Sequence, residues 1–124
     1  MAESIKLPDQ YKLISLDSVG STNDELKFRA LDSSTKEGLV IWSRMQTSGK
    51  GRDNRLWVSD IGNMYVSVLF RPNCNMFDAA QIGFLPVIAA KETLERLLGR
   101  SINISYKWPN DLLLNKKKIG GTLL

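Results

Sequence analysis

Residues 47–57 read TSGKGRDNRLW, a run holding two glycines, one lysine and two arginines that suits neither a helix interior nor a strand interior. It has to be a loop. On either side lie strand-like segments: GLVIWSRM (38–45) is β-branched and aromatic, and NMYVSVLFRP (63–72) alternates, with Met64, Val66, Val68 and Phe70 on one face and Tyr65, Ser67 and Leu69 on the other. Upstream, YKLISL (11–16) alternates as a further strand, and STNDELKFRALD starts a helix in which Thr22 and Glu25 have capping-box spacing and Leu26, Ala30 and Leu31 form the apolar face.

Downstream, Ile82, Leu85, Ala89, Leu94 and Leu97 approximate helical spacing between Ala79 and Leu98, with Asp78 as the N-cap and Gly99 as the stop. Pro86 predicts a kink or a late helix start. INISYKW and DLLLN then read as strands around a turn at Pro109 and Asn110, and NKKK reverses the chain into a last strand, IGGTLL. Strand, helix, two strands, helix and three strands make neither a strictly alternating nor an all-β pattern. The expected class is α+β, a mixed and largely antiparallel sheet with helices packed on one side.

A chain of 124 residues can form one domain with a sizeable core. It has no histidine, which removes imidazole as base, shuttle or metal ligand within these residues, and its single cysteine, Cys74, can form neither an internal disulfide nor a thiolate cage and is expected to be a small packed or surface residue. The richest apolar run, IGFLPVIAA, is short and carries Pro86, while Glu3 and Asp9 near the start interrupt any secretory signal. A cytoplasmic protein is expected. The net charge of +4 suits an anionic ligand or a solvated basic surface.

Three stretches could carry chemistry. SGKGR fails as a phosphate-binding P-loop, because Arg44 stands where the first glycine is required and Gly51 where Ser or Thr is required. Its glycines would still let backbone N–H groups approach an anion while Lys50, Arg52 and Arg55 neutralise it; the alternative is a flexible basic surface loop. In YKWPNDLLLNKKKIGG, Asn110 and Asp111 set an amide and a carboxylate beside a Trp-Pro turn, with Lys118 across a short hairpin, against the alternative of an Asx-type turn and a solvated lysine cluster. Ser21, Thr22 and Asn23 are either plain helix N-caps or paired donors and acceptors for a polar ring, and Gln46 offers the same bidentate amide chemistry or a solvated side chain.

Taken together, STN (21–23), QTSGKGRDNRLW (46–57), KWPND (107–111) and KIGGTL (118–123) resemble, in order and spacing, the motifs of the biotin protein ligases. Four positions depart from that pattern: Lys50 stands for the usual first arginine, Asp53 and Asn54 for a common Arg-Gly, and Thr122 for an aliphatic residue. Lysine keeps the charge but lacks the planar fork, so a contact at Lys50 is expected to use the backbone.

The resemblance implies an ATP-dependent ligase that makes biotinyl-5′-AMP and passes biotin to a lysine of a biotin carboxyl carrier protein of acetyl-CoA carboxylase or a related carboxylase. It implies Arg52, Asp111 and Lys118 as catalytic residues. Ser21, Thr22, Asn23, Gln46, Gly49, Lys50, Gly51, Arg52, Asn110, Lys118 and Gly120 would bind biotin or the nucleotide, Asp111 is the candidate Mg²⁺ ligand, and Trp57 and Trp108 would wall the pocket or serve as core packing. It further implies that residues 1–124 are the N-terminal portion of a catalytic domain lacking its C-terminal domain, with an uncovered edge that favours homodimers. No helix-turn-helix precedes residue 11, so DNA is not an expected partner, nor is a membrane. The rival readings are a lipoate ligase or octanoyltransferase of the same fold, which needs no ureido-reading residues, and a basic nucleic-acid-binding module using Trp42, Trp57 and Tyr65.

Overall fold

The computed structural model describes residues 5–124, so the reading placed on Glu3 lies outside the described residues. The chain divides into two compact units, one up to Arg71 and one from Pro72 to Leu124, each described by itself.

The first unit holds β1 (Lys12–Leu16), α1 (Thr22–Ala30), β2 (Leu39–Ser43) and β3 (Tyr65–Val68). The sheet order is β1-β2-β3, with β1 and β2 parallel and β2 and β3 antiparallel. Its central strand, LVIWS, is buried at four of five positions, the continuous apolar run that a strand covered on both faces requires. Leu26 of α1 packs on Leu39 and Ile41, and Ile14, Leu16 and Leu69 close the cluster. Entry into β2 needs a glycine: Gly38 has φ +85°, and a Cβ there would run into the Gln10 carbonyl.

Alternation in β3 leaves open which face turns inward, and register decides it. Ser67 stands opposite Ile41 and Val66 opposite Trp42, so the face bearing Ile41, against which α1 packs, receives Tyr65, Ser67 and Leu69, while Met64, Val66, Val68 and Phe70 stay exposed. Two expectations for α1 are corrected. The cap is Ser21, whose Oγ accepts from the Asp24 backbone N–H at 3.3 Å, and Thr22 is already helical. Leu31 falls just past the helix and is 82% exposed, because the turn after Ala30 carries it off the apolar stripe.

The second unit contains α2 (Met76–Ala80), a 3₁₀ turn (Gln81–Phe84), α3 (Leu85–Leu98), β4 (Ile104–Lys107), β5 (Asp111–Leu114) and β6 (Lys117–Gly121). Asn75 caps α2, with its Oδ1 accepting from the Asp78 N–H and its Nδ2 donating to the Asp78 carboxylate, both at 2.9 Å; Asp78 is therefore the partner of the cap rather than the cap expected at that residue. Pro86 sits in the first turn of α3, where its missing N–H is harmless, which is the late start its position predicts. Gly99 ends the helix at φ +92°. Because α3 starts at Leu85, its inward stripe is Val87, Ala90 and Leu94, packed on Ile104 and Leu112, and the expected Leu85 and Leu97 are exposed.

Strands β4, β5 and β6 form an antiparallel meander. The β4–β5 turn contains a cis Trp108–Pro109 bond, and the β5–β6 reversal places Asn115 and Lys116 at φ 49° and 66°, as a tight primed hairpin turn requires. Helix α1 lies against one three-stranded sheet and α3 against the other, so the α+β class holds. Among the described residues no helix is long and apolar enough to cross a membrane.

Candidate functional site

In the first unit the glycine-rich run folds back on itself as a narrow hairpin. Gln46 N–H donates to the Ser59 carbonyl at 3.1 Å, Trp57 N–H to the Gly49 carbonyl at 2.8 Å and Gly51 N–H to the Arg55 carbonyl at 2.7 Å. Asp53 and Asn54 turn the tip in left-handed conformations, φ 56° at both, where Asp and Asn are better tolerated than most residues. Thr47 and Ser48 N–H groups bond the carbonyls of Val19 and Gly20, which ties the hairpin to the segment leading into α1. The S-T-N triplet and the glycine loop are thereby brought together.

A directed set of side-chain hydrogen bonds joins them. Gln46 Oε1 accepts from Thr22 N at 2.8 Å and from Thr22 Oγ1 at 3.2 Å; Gln46 Nε2 donates to Ser59 Oγ at 3.0 Å, and Ser59 Oγ donates to the Trp57 carbonyl at 2.9 Å. Thr22 Oγ1 also meets Ser67 Oγ at 2.9 Å. Ser21, Thr22 and Ser59 are buried and Asn23 is half-buried in the first turn of α1. Gly49 has no room for a side chain, since a Cβ would overlap Ser59 Oγ and the Trp57 carbonyl.

Lys50 was expected to neutralise an anion. Its Nζ instead pairs with Asp24 Oδ2 at 2.5 Å, both side chains near half exposed, because Asp24 projects from the first turn of α1 toward the loop. Arg52 and Arg55 are exposed at the hairpin tip. Beside the loop lies an open cleft of about 540 Å³ lined by Val19, Gly20, Ser21, Asp24, Ser48 and Lys50 among others.

The second unit joins its own expected residues. Asp111 opens β5 and Lys118 lies on β6, and the Lys118 Nζ meets Asp111 Oδ1 at 2.9 Å, with side-chain exposures of 42% and 19%. A bulge at Ile119 keeps Lys118 on the register of Leu113 while Gly120 and Gly121 face Leu112 and Asp111. A Cβ on Gly121 would stand 3.4 Å from Asp111 Oδ1 and 3.5 Å from Lys118 Cε, so the small residue lies directly beside the pair. Asn110 closes the turn, its Nδ2 donating to the Thr122 carbonyl while Thr122 N–H returns to the Asn110 carbonyl at 3.1 Å.

Trp57 is half-buried, but Trp108 is 80% exposed with its ring 5.2 Å from that of Phe84, so core packing does not describe it. Cys74 is an exposed free thiol, as expected of a surface residue. Asp32, past the end of α1, is held below the usual carboxylate range by hydrogen bonds from the Ser34 backbone and hydroxyl, a local turn feature rather than part of the site.

Sequence reasoning missed Asp24, Ser59 and Ser67. A signal for Ser67 existed, a lone hydroxyl flanked on its own face of β3 by Tyr65 and Leu69; for Ser59 and Asp24 the partners lie 13 and 26 residues away, and nothing local marks them.

Residues 15–124 match the sequence pattern of the biotin/lipoate A/B protein ligase family. A biotin–acetyl-CoA-carboxylase ligase of Paracoccus denitrificans is 37% identical over 84 residues, covering 68% of this chain and 35% of that protein. The bifunctional ligase/repressor BirA of Bacillus subtilis is 34% identical over 104 residues, covering 83% of this chain and 31% of that protein. The chain thus spans about a third of the length of these curated relatives. Among solved structures, a biotin protein ligase from Aquifex aeolicus in complex with biotin and ATP superimposes with a TM-score of 0.73 at 34% identity, covering 90% of this chain and 45% of the other. One from Leishmania major in complex with biotinyl-5-AMP gives 0.76 at 26% identity, covering 94% and 52%.

Proposed function

The chain belongs to the biotin/lipoate A/B protein ligase family, and on that premise we propose that it is the N-terminal portion of the catalytic domain of an ATP-dependent biotin ligase. The carboxylate of biotin attacks the α-phosphorus of ATP, giving biotinyl-5′-AMP and pyrophosphate. The ε-amine of a carrier-protein lysine then attacks the mixed anhydride, forming an amide and releasing AMP. The observation that carries this reading is the hydrogen-bonded set Thr22–Gln46–Ser59 beside the glycine loop, a part-buried donor–acceptor array suited to a polar heteroatom ring such as the ureido group.

In this reading Ser21, Thr22, Asn23 and Gln46 recognise the ring. In the same reading the backbone of Gly49, Lys50 and Gly51 lies along the carboxylate and the phosphate, with the two glycines leaving the N–H groups on either side of Lys50 unobstructed. Bringing two anions together needs fixed positive charge; the reading assigns that task to Arg52 among the residues of the first unit and to Lys118 among those of the second. Asp111 holds Lys118 through its 2.9 Å pair and orients the incoming amine, while Asn110 and Gly120 serve the nucleotide. For Mg²⁺ the donors are sparse: among the described residues no three acidic or sulfur side chains gather. Asp111 alone fits it as one ligand alongside phosphate oxygens, a mode common for that ion. Bound Mg²⁺ would supply charge neutralisation on the phosphates. A carrier domain bearing the acceptor lysine is the expected macromolecular partner, the reading assigns no DNA contact to these residues, and self-association is tested by sedimentation.

Calorimetric titration with biotin, followed by pyrophosphate release with biotin against octanoate, tests the reading. Heat on biotin addition and biotin-dependent release are expected; release driven by octanoate alone would transfer the assignment to the lipoate branch, and binding that needs nucleic acid and falls steeply with salt would overturn it.

A further inference from the structure

A carboxamide has nearly the same shape in its two flips but opposite polarity, so a glutamine that reads a ligand must be held in one of them. Resting on the reading above, we infer that Ser59 and Ser67 are positioning residues that lock Gln46 so that it meets the ligand as a hydrogen-bond donor. Ser59 commits its one hydrogen to the Trp57 carbonyl at 2.9 Å and therefore faces Gln46 only as an acceptor, so the atom 3.0 Å away must be Nε2. At the other end the Thr22 backbone N–H can only donate, so the atom 2.8 Å away must be Oε1. Two independent contacts thus select the same flip.

Thr22 Oγ1 gives its own hydrogen to Gln46 Oε1 at 3.2 Å and consequently accepts from Ser67 Oγ at 2.9 Å. Both acceptor sites of Oε1 are now occupied and one of the two Nε2 hydrogens is used. What Gln46 has left to offer is a single N–H, which selects an acceptor atom on the ligand and disfavours a donor. Burial enforces the arrangement, since Ser59 and Thr22 are both 4% exposed and an unmade bond there leaves a desolvated polar group. Gly49 links this lock to the loop, because its backbone packs so closely on Ser59 Oγ and Gln46 Nε2 that no Cβ fits.

A double-mutant cycle on the chain tests this with biotin as the probe, read by calorimetry, with thermal unfolding recorded for each protein. Ser59→Ala should weaken binding about tenfold in the unmodified background, as expected when a buried partner is lost, yet change it less than about twofold on a Gln46→Ala background, because its effect passes through Gln46. Ser67→Ala, at the less buried end, should behave in the same way and serves as the test should Ser59→Ala unfold. Equal penalties in both backgrounds would mean general destabilisation and overturn the inference, as would unaltered binding in the single variants. Failure of the unmodified chain to bind biotin would instead refute the functional reading, a result distinguishable from either.

Discussion

The two glycines of the loop look interchangeable in a sequence but not in the structure, and substituting each with alanine separates their roles. At Gly49 an alanine Cβ would overlap Ser59 Oγ and the Trp57 carbonyl and stand 3.0 Å from Gln46 Nε2. Two of those neighbours belong to the hairpin's return strand, so relief requires the strands to part and the 2.8 Å Trp57 N–H bond to the Gly49 carbonyl to stretch. Overpacking of this kind costs about 1–3 kcal/mol and a weakened backbone hydrogen bond about 1 more, partly offset by the ~0.4–1 kcal/mol that alanine gains by restricting the unfolded chain. A net loss of about 2 kcal/mol should lower Tm by roughly 6–10 °C and weaken biotin binding with it.

At Gly51 the added Cβ would find only ordinary contacts, 3.6 Å to the Arg55 carbonyl oxygen and 3.8 Å to the Arg55 Cβ, at φ −96°. Gly51→Ala should therefore leave Tm unchanged or raise it by up to roughly 5 °C, from the same ~0.4–1 kcal/mol gain. Any loss of affinity there would report on backbone approach to the ligand alone. Circular dichroism melts and biotin calorimetry on the three proteins decide the matter. Equal Tm values for Gly49→Ala and Gly51→Ala would refute the packing argument.

Lys118→Ala should reduce adenylate formation about 10²–10³-fold, the usual scale for removing one charge-stabilising group, while the partly exposed pair with Asp111 contributes about 1 kcal/mol to folding; pyrophosphate release against the melting curve reads both. Arg52→Gly, at the exposed hairpin tip, should leave Tm within about 2 °C and speed escape of the adenylate, so an unaltered off-rate in a filter-trapping assay would remove Arg52 from its role. Asp24→Asn should cost about 0.2–1 kcal/mol by breaking the Lys50 pair, and the Tm gap from the unmodified chain should close between about 0.05 and 1 M salt; a gap insensitive to salt would count against the pair.

Much of the architecture was legible in local signals because those signals act over a few residues. The β-branched and aromatic run at 39–43, the proline at 86, the glycine at 99 and the polar reversal at NKKK each act on the backbone where they stand, and the elements begin or end there. The family-like motifs likewise mark Thr22, Gln46, Asp111 and Lys118 as candidates, and the structure joins Thr22 to Gln46 and Asp111 to Lys118.

What folding alone decided are the contacts across long separations. Alternation in β3 could not say which face meets α1, because a strand with apolar residues on one side and Tyr-Ser-Leu on the other fits either way until its register against Ile41 is set. Lys50 turns to Asp24, and Ser59 and Ser67 close on Gln46 and Thr22, through hydrogen bonds and charges carried to one place by chain reversals 13 to 45 residues long. Residue type announces what a side chain can donate or accept. Which partner it finds depends on packing, and packing is a property of the whole unit.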